Sequence, residues 1–216
     1  MEISKIEMHE VLPKVFAARG ADGSEIWCRD VVLERDRKYL VSAHSGTGKS
    51  SLCSYLYGYR NDYSGRIVFG ITDIATFGIG QWCDLRCRHL AYLPQEMRLF
   101  PELTAMENVE LKNRLTGYRS HGDIGQMFER LGIAEKAGEQ VSRLSIGQQQ
   151  RVAIIRALCQ PFDFILLDEP VSHLDESNNR LAAALVAEEA AKQGAGIIAT
   201  SVGNDVMLTI DKEYKL

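Results

Sequence analysis

One short stretch limits the possible folds of this chain more than any other: "VSAHSGTGKSS", residues 41 to 51. The compact apolar run "KYLVSA" leads into it, and "KSSLCSYLYGY" follows it with helical character. In a G-x-x-x-x-G-K-[ST] loop, backbone N–H groups surround phosphate oxygens, the lysine meets the β- and γ-phosphates, and the hydroxyl binds magnesium. Gly46, Gly48, Lys49 and Ser50 fit that pattern. Because a strand precedes the loop and a helix follows it, a phosphate-binding loop is favoured over a chance match.

The first glycine of the pattern is missing, since Ala43 stands in its place. Alanine limits positive φ but adds only one methyl group at the entrance of the loop. The sequence therefore predicts a working nucleotide site, with its largest departure from the pattern outside the residues that touch phosphate.

A second signal is the apolar run "FILLDEP", which ends in Asp168 and Glu169. A strand of this kind is typical of a central strand covered on both faces, and ligands of α/β proteins bind at the carboxyl end of such strands. Asp168 is predicted to hold Mg²⁺ through water, and Glu169 to polarise the attacking water as a general base. Taken alone, the pattern fits a solvated acidic turn equally well.

Strand-like and helix-like segments alternate along the chain, which predicts an α/β fold with a mostly parallel sheet. Short runs over residues 5–12 and 24–34, separated by "RGADGS", and the run over 64–74 are interpreted as β structure. Residues 104–117, 123–133, 147–160 and 178–194 have helical spacing. Residues 88–95, 163–170 and 195–201 complete the predicted strands.

The third signal is "LSIGQQQR", residues 144 to 151, where Ser145 and Gly147 open a predicted helix. Exposed N–H groups at a helix N-terminus attract phosphate. GTGKS, LSIGQ and LLDEP in this order resemble the nucleotide-binding subunit of ATP-binding cassette (ABC) transporters over nearly the whole chain. "LFPELTAMENV" is similar to the corresponding segment in cassettes of lipoprotein-release, cell-division and macrolide-export systems.

The resemblance implies a single P-loop NTPase domain over residues 1–216. It has an antiparallel β subdomain and an α-helical subdomain, at about residues 96–145, inserted in the α/β core. It also implies that Gln95 is the Q-loop glutamine, which senses Mg²⁺ and the transmembrane partner, and that "SHLD" forms the D-loop. Phe16 stands where the family stacks an aromatic ring on adenine, and a core aromatic is the alternative interpretation.

The full set of site residues implied by the resemblance falls into three groups. Contacts to ATP are expected from Phe16, His44, Ser45, Gly46, Thr47, Gly48, Lys49, Ser50, Ser51, Ser145, Gly147, Gln148 and Asp175. Ligands of Mg²⁺ are expected from Ser50, Gln95 and Asp168, and catalytic roles from Glu169, Gln95 and Ser201.

Ser201 is the main departure from the family, which usually has a histidine there that contacts the γ-phosphate. Serine donates a hydrogen bond, but it is shorter than histidine and carries no charge. This places the rate of hydrolysis in question and leaves ATP binding intact. Two unusual histidines, His44 and His173, offer a replacement imidazole, although tolerated variants at permissive positions are the favoured explanation.

The expected function is an ATP-binding subunit that hydrolyses ATP as a head-to-tail dimer of two copies and drives a separate membrane permease. The alternatives are a regulatory ATP-binding module with negligible hydrolysis and a soluble ABC ATPase without a transport role. Each ATP is expected to lie between the phosphate loop of one copy and the LSIGQ segment of the other.

The composition agrees with this expectation. The net charge of −4 and the lack of a Lys/Arg run argue against binding nucleic acid through phosphate neutralisation. No apolar run is long enough to span a bilayer, so a cytosolic location with attachment to the membrane through the permease is expected. Five scattered cysteines predict reduced thiols rather than disulfides or a metal site.

Overall fold

The strands form two sheets in the computed structural model, which describes residues 3–18, 20–42 and 46–216. The strands are β1 (Lys5–Pro13), β2 (Asp30–Glu34), β3 (Lys38–Ser42), β4 (Tyr63–Phe69), β5 (Thr72–Asp73), β6 (Leu90–Leu93), β7 (Phe164–Asp168), β8 (Gly196–Ser201) and β9 (Lys212–Lys215). An antiparallel sheet has the order β2-β1-β4-β5, and a parallel sheet has the order β6-β7-β8-β3-β9. The predicted α/β class, with a parallel core and an antiparallel β unit, is therefore confirmed.

Six α-helices connect and cover these sheets within the described residues. They are α1 (Lys49–Leu56), α2 (Ile79–Arg88), α3 (Ala105–Asn113), α4 (His121–Arg130), α5 (Ile146–Ala157) and α6 (Glu176–Gln193). Helices α3 and α4 follow β6 and precede α5, in the segment where the sequence predicts a helical subdomain. None of the helices in the described part of the chain is long and apolar enough to cross a membrane.

The parallel sheet separates two apolar cores. Along β7, Phe164 and Leu166 face the core shared with the antiparallel sheet and α1, whereas Ile165 and Leu167 face the core shared with α5 and α6. This alternation follows from the period of two along a strand. Because both faces are covered, all five residues of β7 are buried, and its polar end at Asp168 is held at a fixed place on the sheet edge.

Three elements differ from the sequence-based expectations. The strand predicted over 24–34 forms only as Asp30–Glu34, because the hydroxyl of Ser24 accepts the N–H groups of Ile26 and Trp27 and so folds this segment into a turn. Helix α2 was not predicted, because only Leu85 in it is buried and its sequence therefore lacks a strong apolar period. Strand β9 lies in the tail, where the sequence suggested no element, and it pairs with β3 in parallel.

Candidate functional site

The phosphate loop joins β3 to α1, in the order that the sequence predicts. Gly48 adopts φ +103°, and a Cβ there would lie 3.0 Å from Cε2 of Phe16 and 3.2 Å from Cζ2 of Trp27. Glycine is therefore needed both for the backbone conformation and for the close approach of the two rings. Residues 43–45, with the predicted contacts of His44 and Ser45, lie outside the described residues.

Lys49 begins α1 and is only 5% exposed. Its Nζ lies 4.0 Å from Oε1 of Glu169, which follows β7. A buried ammonium at a helix N-terminus adds to the positive potential that the helix dipole creates there. The side chain is thus placed where anionic oxygens are stabilised.

Asp168 is the last residue of β7 and is buried. Its Oδ1 accepts a hydrogen bond from the Thr200 hydroxyl at 2.8 Å. Burial raises the pKa of the Asp168 carboxyl, while the hydrogen bonds from Thr200 and Ser50 act in the opposite direction. A carboxylate held beside the Ser50 hydroxyl provides the hard oxygen donors that Mg²⁺ prefers.

Glu169 leaves the strand in a left-handed conformation with φ +51°, which is uncommon for a residue other than glycine. Its N–H donates to the hydroxyl of Thr200 at 3.2 Å. Its carboxylate remains partly exposed, at 17%, between Lys49 and Gln95. Such backbone strain is concentrated at functional sites, where the surrounding structure over-determines it.

Gln95 follows β6 at the same sheet edge, and its Nε2 donates to Oε2 of Glu169 at 3.3 Å. The structure therefore brings together four side chains that the sequence selected from three separate segments. They are Lys49, Gln95, Asp168 and Glu169. Thr200 was not predicted from the sequence, where no pattern distinguishes it. Its hydroxyl donates to the Asp168 carboxylate and accepts the N–H of Glu169.

The LSIGQ segment forms the N-terminus of α5, as expected. Ser145 Oγ accepts the N–H of Gln148 at 3.3 Å, and Gln148 Oε1 accepts the N–H of Ser145 at 2.9 Å, which is a capping box. A Cβ at Gly147 would lie 2.9 Å from the carbonyl oxygen of His173. A side chain at position 147 would therefore clash with the D-loop of the same chain.

The D-loop residues have structural partners in the single chain. Asp175 caps α6, and its Oδ1 accepts the N–H of Asn178 at 2.8 Å, which lowers the pKa of the Asp175 carboxyl. His173 Nδ1 lies 3.0 Å from the hydroxyl of Ser172. The proposed contacts of Asp175 and His173 with nucleotide stay predictions.

Ser201 ends β8 and is only 1% exposed. Its Oγ accepts the N–H of Gly203 at 3.1 Å, so the hydroxyl supports the turn that follows the strand. The predicted contact from Ser201 to a γ-phosphate stays a prediction.

A cavity of about 280 Å³ lies beside the phosphate loop. Its lining residues come from the 16–27 segment, the loop and the tail, and are Phe16, Gly20, Ala21, Asp22, Ser24, Trp27, Thr47 and Leu216. Trp27 Nε1 donates to the carbonyl of Thr47 at 3.1 Å, and Phe16 is 5% exposed. Phe16 thus packs in the core and also borders the cavity. Trp27, which was not predicted as a site residue, lies beside it.

The remaining loop serines begin α1. Ser50 is exposed and hydrogen-bonds Asp168, as the prediction of a shared Mg²⁺ site requires. Ser51 Oγ accepts from Arg60 at 3.1 Å. Among the described residues, no group of three or more His, Cys, Asp or Glu side chains is arranged so that it could hold a metal ion by itself. The donor pair of Ser50 and Asp168 instead fits Mg²⁺ bound together with substrate phosphates, because such a site needs only one or two carboxylates from the protein.

Comparison with known proteins identifies the family. The ABC transporter family profile matches residues 30–172. The ABC transporter ATP-binding protein YtrE of Bacillus subtilis is 32% identical over 179 residues, which are 82% of this chain and 78% of YtrE. The macrolide export ATP-binding/permease protein MacB 2 of Aeromonas hydrophila is 33% identical over 74% of this chain, which spans 25% of that longer protein.

A solved dimeric structure of a bacterial ABC transporter cassette superposes on this chain with a TM-score of 0.75. It is 23% identical, and the superposition covers 90% of this chain and 87% of the other. At this identity the likeness supports the fold. The family match and the likeness to YtrE show that this chain is an ATP-binding subunit of the ABC transporter family.

Proposed function

We propose that the chain binds Mg-ATP where the carboxyl ends of β6 and β7 meet the N-terminus of α1. It hydrolyses ATP to ADP and phosphate and so drives a membrane permease. The observation that carries the proposal is the placement of Glu169. Its strained backbone holds the carboxylate between Lys49 and Gln95, at the end of a strand whose last residue is the buried Asp168. These are the groups that phosphoryl transfer to water requires.

The roles of the residues follow from their positions. Lys49 and the N-terminus of α1 bind the phosphate oxygens, and Ser50 with Asp168 would hold Mg²⁺. Bound Mg²⁺ supplies neutralisation of the charge that develops on the phosphate oxygens. Glu169 Oε accepts a proton from the attacking water, and Gln95 orients that carboxylate by its hydrogen bond.

Hydrolysis is expected to be slow, because Ser201 stands where an imidazole would contact the γ-phosphate and its hydroxyl is engaged with Gly203. The same observation favours the second candidate function. In that case ATP closes the dimer and signals to a partner, while hydrolysis is negligible.

Phosphate release by the purified chain distinguishes these two functions. We expect measurable turnover with Mg-ATP and loss of ATP binding in Lys49→Ala, since the buried ammonium is the main positive group at the site. The matched control is Lys5→Ala, which removes a partly exposed ammonium on β1 that pairs with Glu7, and this variant should bind ATP as the wild type does. Turnover no greater than that of Lys49→Ala, with normal ATP binding, would favour the regulatory module.

A dimer of two copies is supported by the related bacterial cassette, whose solved structure is dimeric. A permease is supported by the relative MacB 2, which is an ATP-binding/permease protein. Both partners stay proposals for this chain. A cassette without a transport role is the remaining alternative.

A groove beside the Q-loop supports docking of the permease. Four of its apolar or aromatic side chains are unusually exposed for their size: Tyr59, Phe100, Leu111 and Leu115. Its charged lining residues are the cations Arg98, Lys112 and Arg156, in a chain whose net charge is −4. We expect the docking segment of the permease to carry apolar and acidic side chains.

Sedimentation with membrane vesicles from the source cells tests this docking. The chain should bind these vesicles but not protein-free vesicles of the same lipids, and Leu115→Ser should release it. Ile71→Ser is the matched control, because Ile71 is fully exposed away from the groove. Equal binding by wild type and Leu115→Ser would remove the groove as the docking site, and no protein-dependent binding would favour a soluble role.

A further inference from the structure

Gln150 lies in the middle of α5 and is only 2% exposed, although its side chain is polar. Both ends of its amide contact the loop that follows β7. Nε2 donates to the carbonyl oxygen of Glu169 at 3.2 Å, and Oε1 accepts the N–H of His173 at 2.9 Å. Nε2 also lies 3.4 Å from the hydroxyl of Ser172. One buried amide thus joins both ends of the segment from Glu169 to His173.

These contacts act on the strained residue of the site. Glu169 has φ +51°, a conformation that costs free energy and persists only when neighbouring groups fix it. Its N–H is fixed by Thr200 from β8, and its carbonyl by Gln150 from α5 and by Ser172. Loss of the Gln150 donor leaves the carbonyl with contacts from its own loop only, among the described residues.

The position of Gln150 on α5 adds a connection to the LSIGQ segment. The same helix begins at its N-cap Ser145, and the carbonyl of His173 packs against Gly147 in its first turn. A displacement of α5 therefore moves the amide of Gln150, and with it the backbone of Glu169.

We propose that Gln150 is a positioning residue for the general base. It keeps the Glu169 carboxylate between Lys49 and Gln95, and it makes that placement depend on the position of the LSIGQ helix. This inference rests on the proposed hydrolysis of ATP with Glu169 as the base. A misplacement of about 1 Å at a reacting group costs on the order of 100-fold in rate.

The test is Gln150→Glu, which preserves the shape and the acceptor for His173, replaces the donor to Glu169 by an acceptor oxygen and buries a negative charge. We expect kcat to fall by roughly 10- to 100-fold, with KM for ATP within about three-fold of wild type. The control is Gln193→Glu. Gln193 Oε1 accepts the N–H of Phe162 and its Nε2 donates to the carbonyl of Glu189, far from the site, so kcat should be unchanged.

A double variant distinguishes positioning from general loss of structure. If Gln150 acts through Glu169, then Glu169→Gln combined with Gln150→Glu turns over no more slowly than Glu169→Gln alone. Additive losses, an unchanged kcat, or equal losses in Gln150→Glu and Gln193→Glu would overturn the inference. If the wild type does not turn over at all, both the proposed hydrolysis and this inference fail. If the wild type turns over but Gln150→Glu does so equally fast, only the inference fails.

Discussion

The ends of β7 and β8 are neighbours on the same sheet edge, but they are built differently. Asp168 pairs with Thr200 in parallel register, so Glu169 and Ser201 each occupy the next position along the chain. Glu169 turns into the left-handed region and presents its carboxylate to Lys49 and Gln95. Ser201 continues the strand, stays buried and binds the N–H of Gly203.

The difference shows that position on a sheet edge does not by itself make a residue part of a site. The chain changes direction at Glu169, directly after β7, and side chains from α1, α5, β8 and the segment after β6 contact this residue. At Ser201 the hydroxyl is used within its own turn. The two positions therefore differ in the loss of ATP turnover expected when the functional group is removed, which is large at Glu169 and small at Ser201.

The largest effect is expected for Glu169→Gln. The amide keeps the shape of the side chain but accepts no proton, and general-base catalysis typically contributes about 10²–10⁴-fold in rate. Steady-state phosphate release should therefore fall by at least roughly 100-fold. ATP binding should persist, and sizing with Mg-ATP should show a dimer.

The matched control for that prediction is Glu176→Gln in the exposed first turn of α6. Its turnover should equal that of wild type. A fall of less than about ten-fold in Glu169→Gln would contradict the role of Glu169 as the base and would remove the contrast between the two strand ends.

An intermediate effect is expected for Ser201→His. A single preorganised contact to developing charge contributes about 10²–10³-fold in the best cases, and a newly introduced one should recover part of that. We expect turnover to rise several-fold in phosphate-release assays. Ser201→Ala should change turnover by less than about two-fold, because the lost hydroxyl contacts Gly203 rather than the site.

Two outcomes would change that interpretation. If Ser201→Ala lowers turnover ten-fold or more, the serine itself contributes to catalysis. If Ser201→His has no effect while His173→Ala abolishes turnover, the imidazole of the D-loop supplies the missing contact.

The smallest effect concerns stability. Burial raises the pKa of Asp168 in the native state above the usual pKa of about 4 that it has in the unfolded chain. In the pH interval between these two pKa values, the native state keeps a proton that the unfolded chain has lost. Stability from this group is present at low pH and declines as pH rises through that interval. Asp168→Asn removes the buried charge and should therefore raise the melting temperature of the nucleotide-free protein at neutral pH.

Thermal unfolding at two pH values measures this effect. The gain of Asp168→Asn over wild type should be present at pH 7 and nearly absent at about pH 3.5, below the usual pKa of a carboxyl group. Ser201→Ala is the control, because a neutral hydroxyl gives no such pH dependence. A variant less stable than wild type at pH 7 would mean that attraction to Lys49 outweighs the cost of burial.

Features that depend on neighbours in the chain were predictable from the sequence. The strand, loop and helix around Gly48 and Lys49, the start of α5 at Ser145 and the end of α6 at Gly194 all appear where the patterns place them. Gly194 adopts φ +57°, as a glycine after a helix commonly does. These signals are local, because each needs only the conformational preference or capping bond of a few adjacent residues.

Features that depend on distant partners required the tertiary structure. Strand β9 was missed because "KEYK" has only Tyr214 buried, too short a pattern to predict a strand without its partner β3. Thr200 and Gln150 were missed because their roles lie in contacts with the loop after β7, at 31 and 19 residues along the chain from Glu169. The sequence alone thus determined the family, the α/β class and the candidate chemical groups. The pairing of strands and the packing of α5 decided which of those groups meet, because side chains remote in sequence are brought together only by the buried core between them.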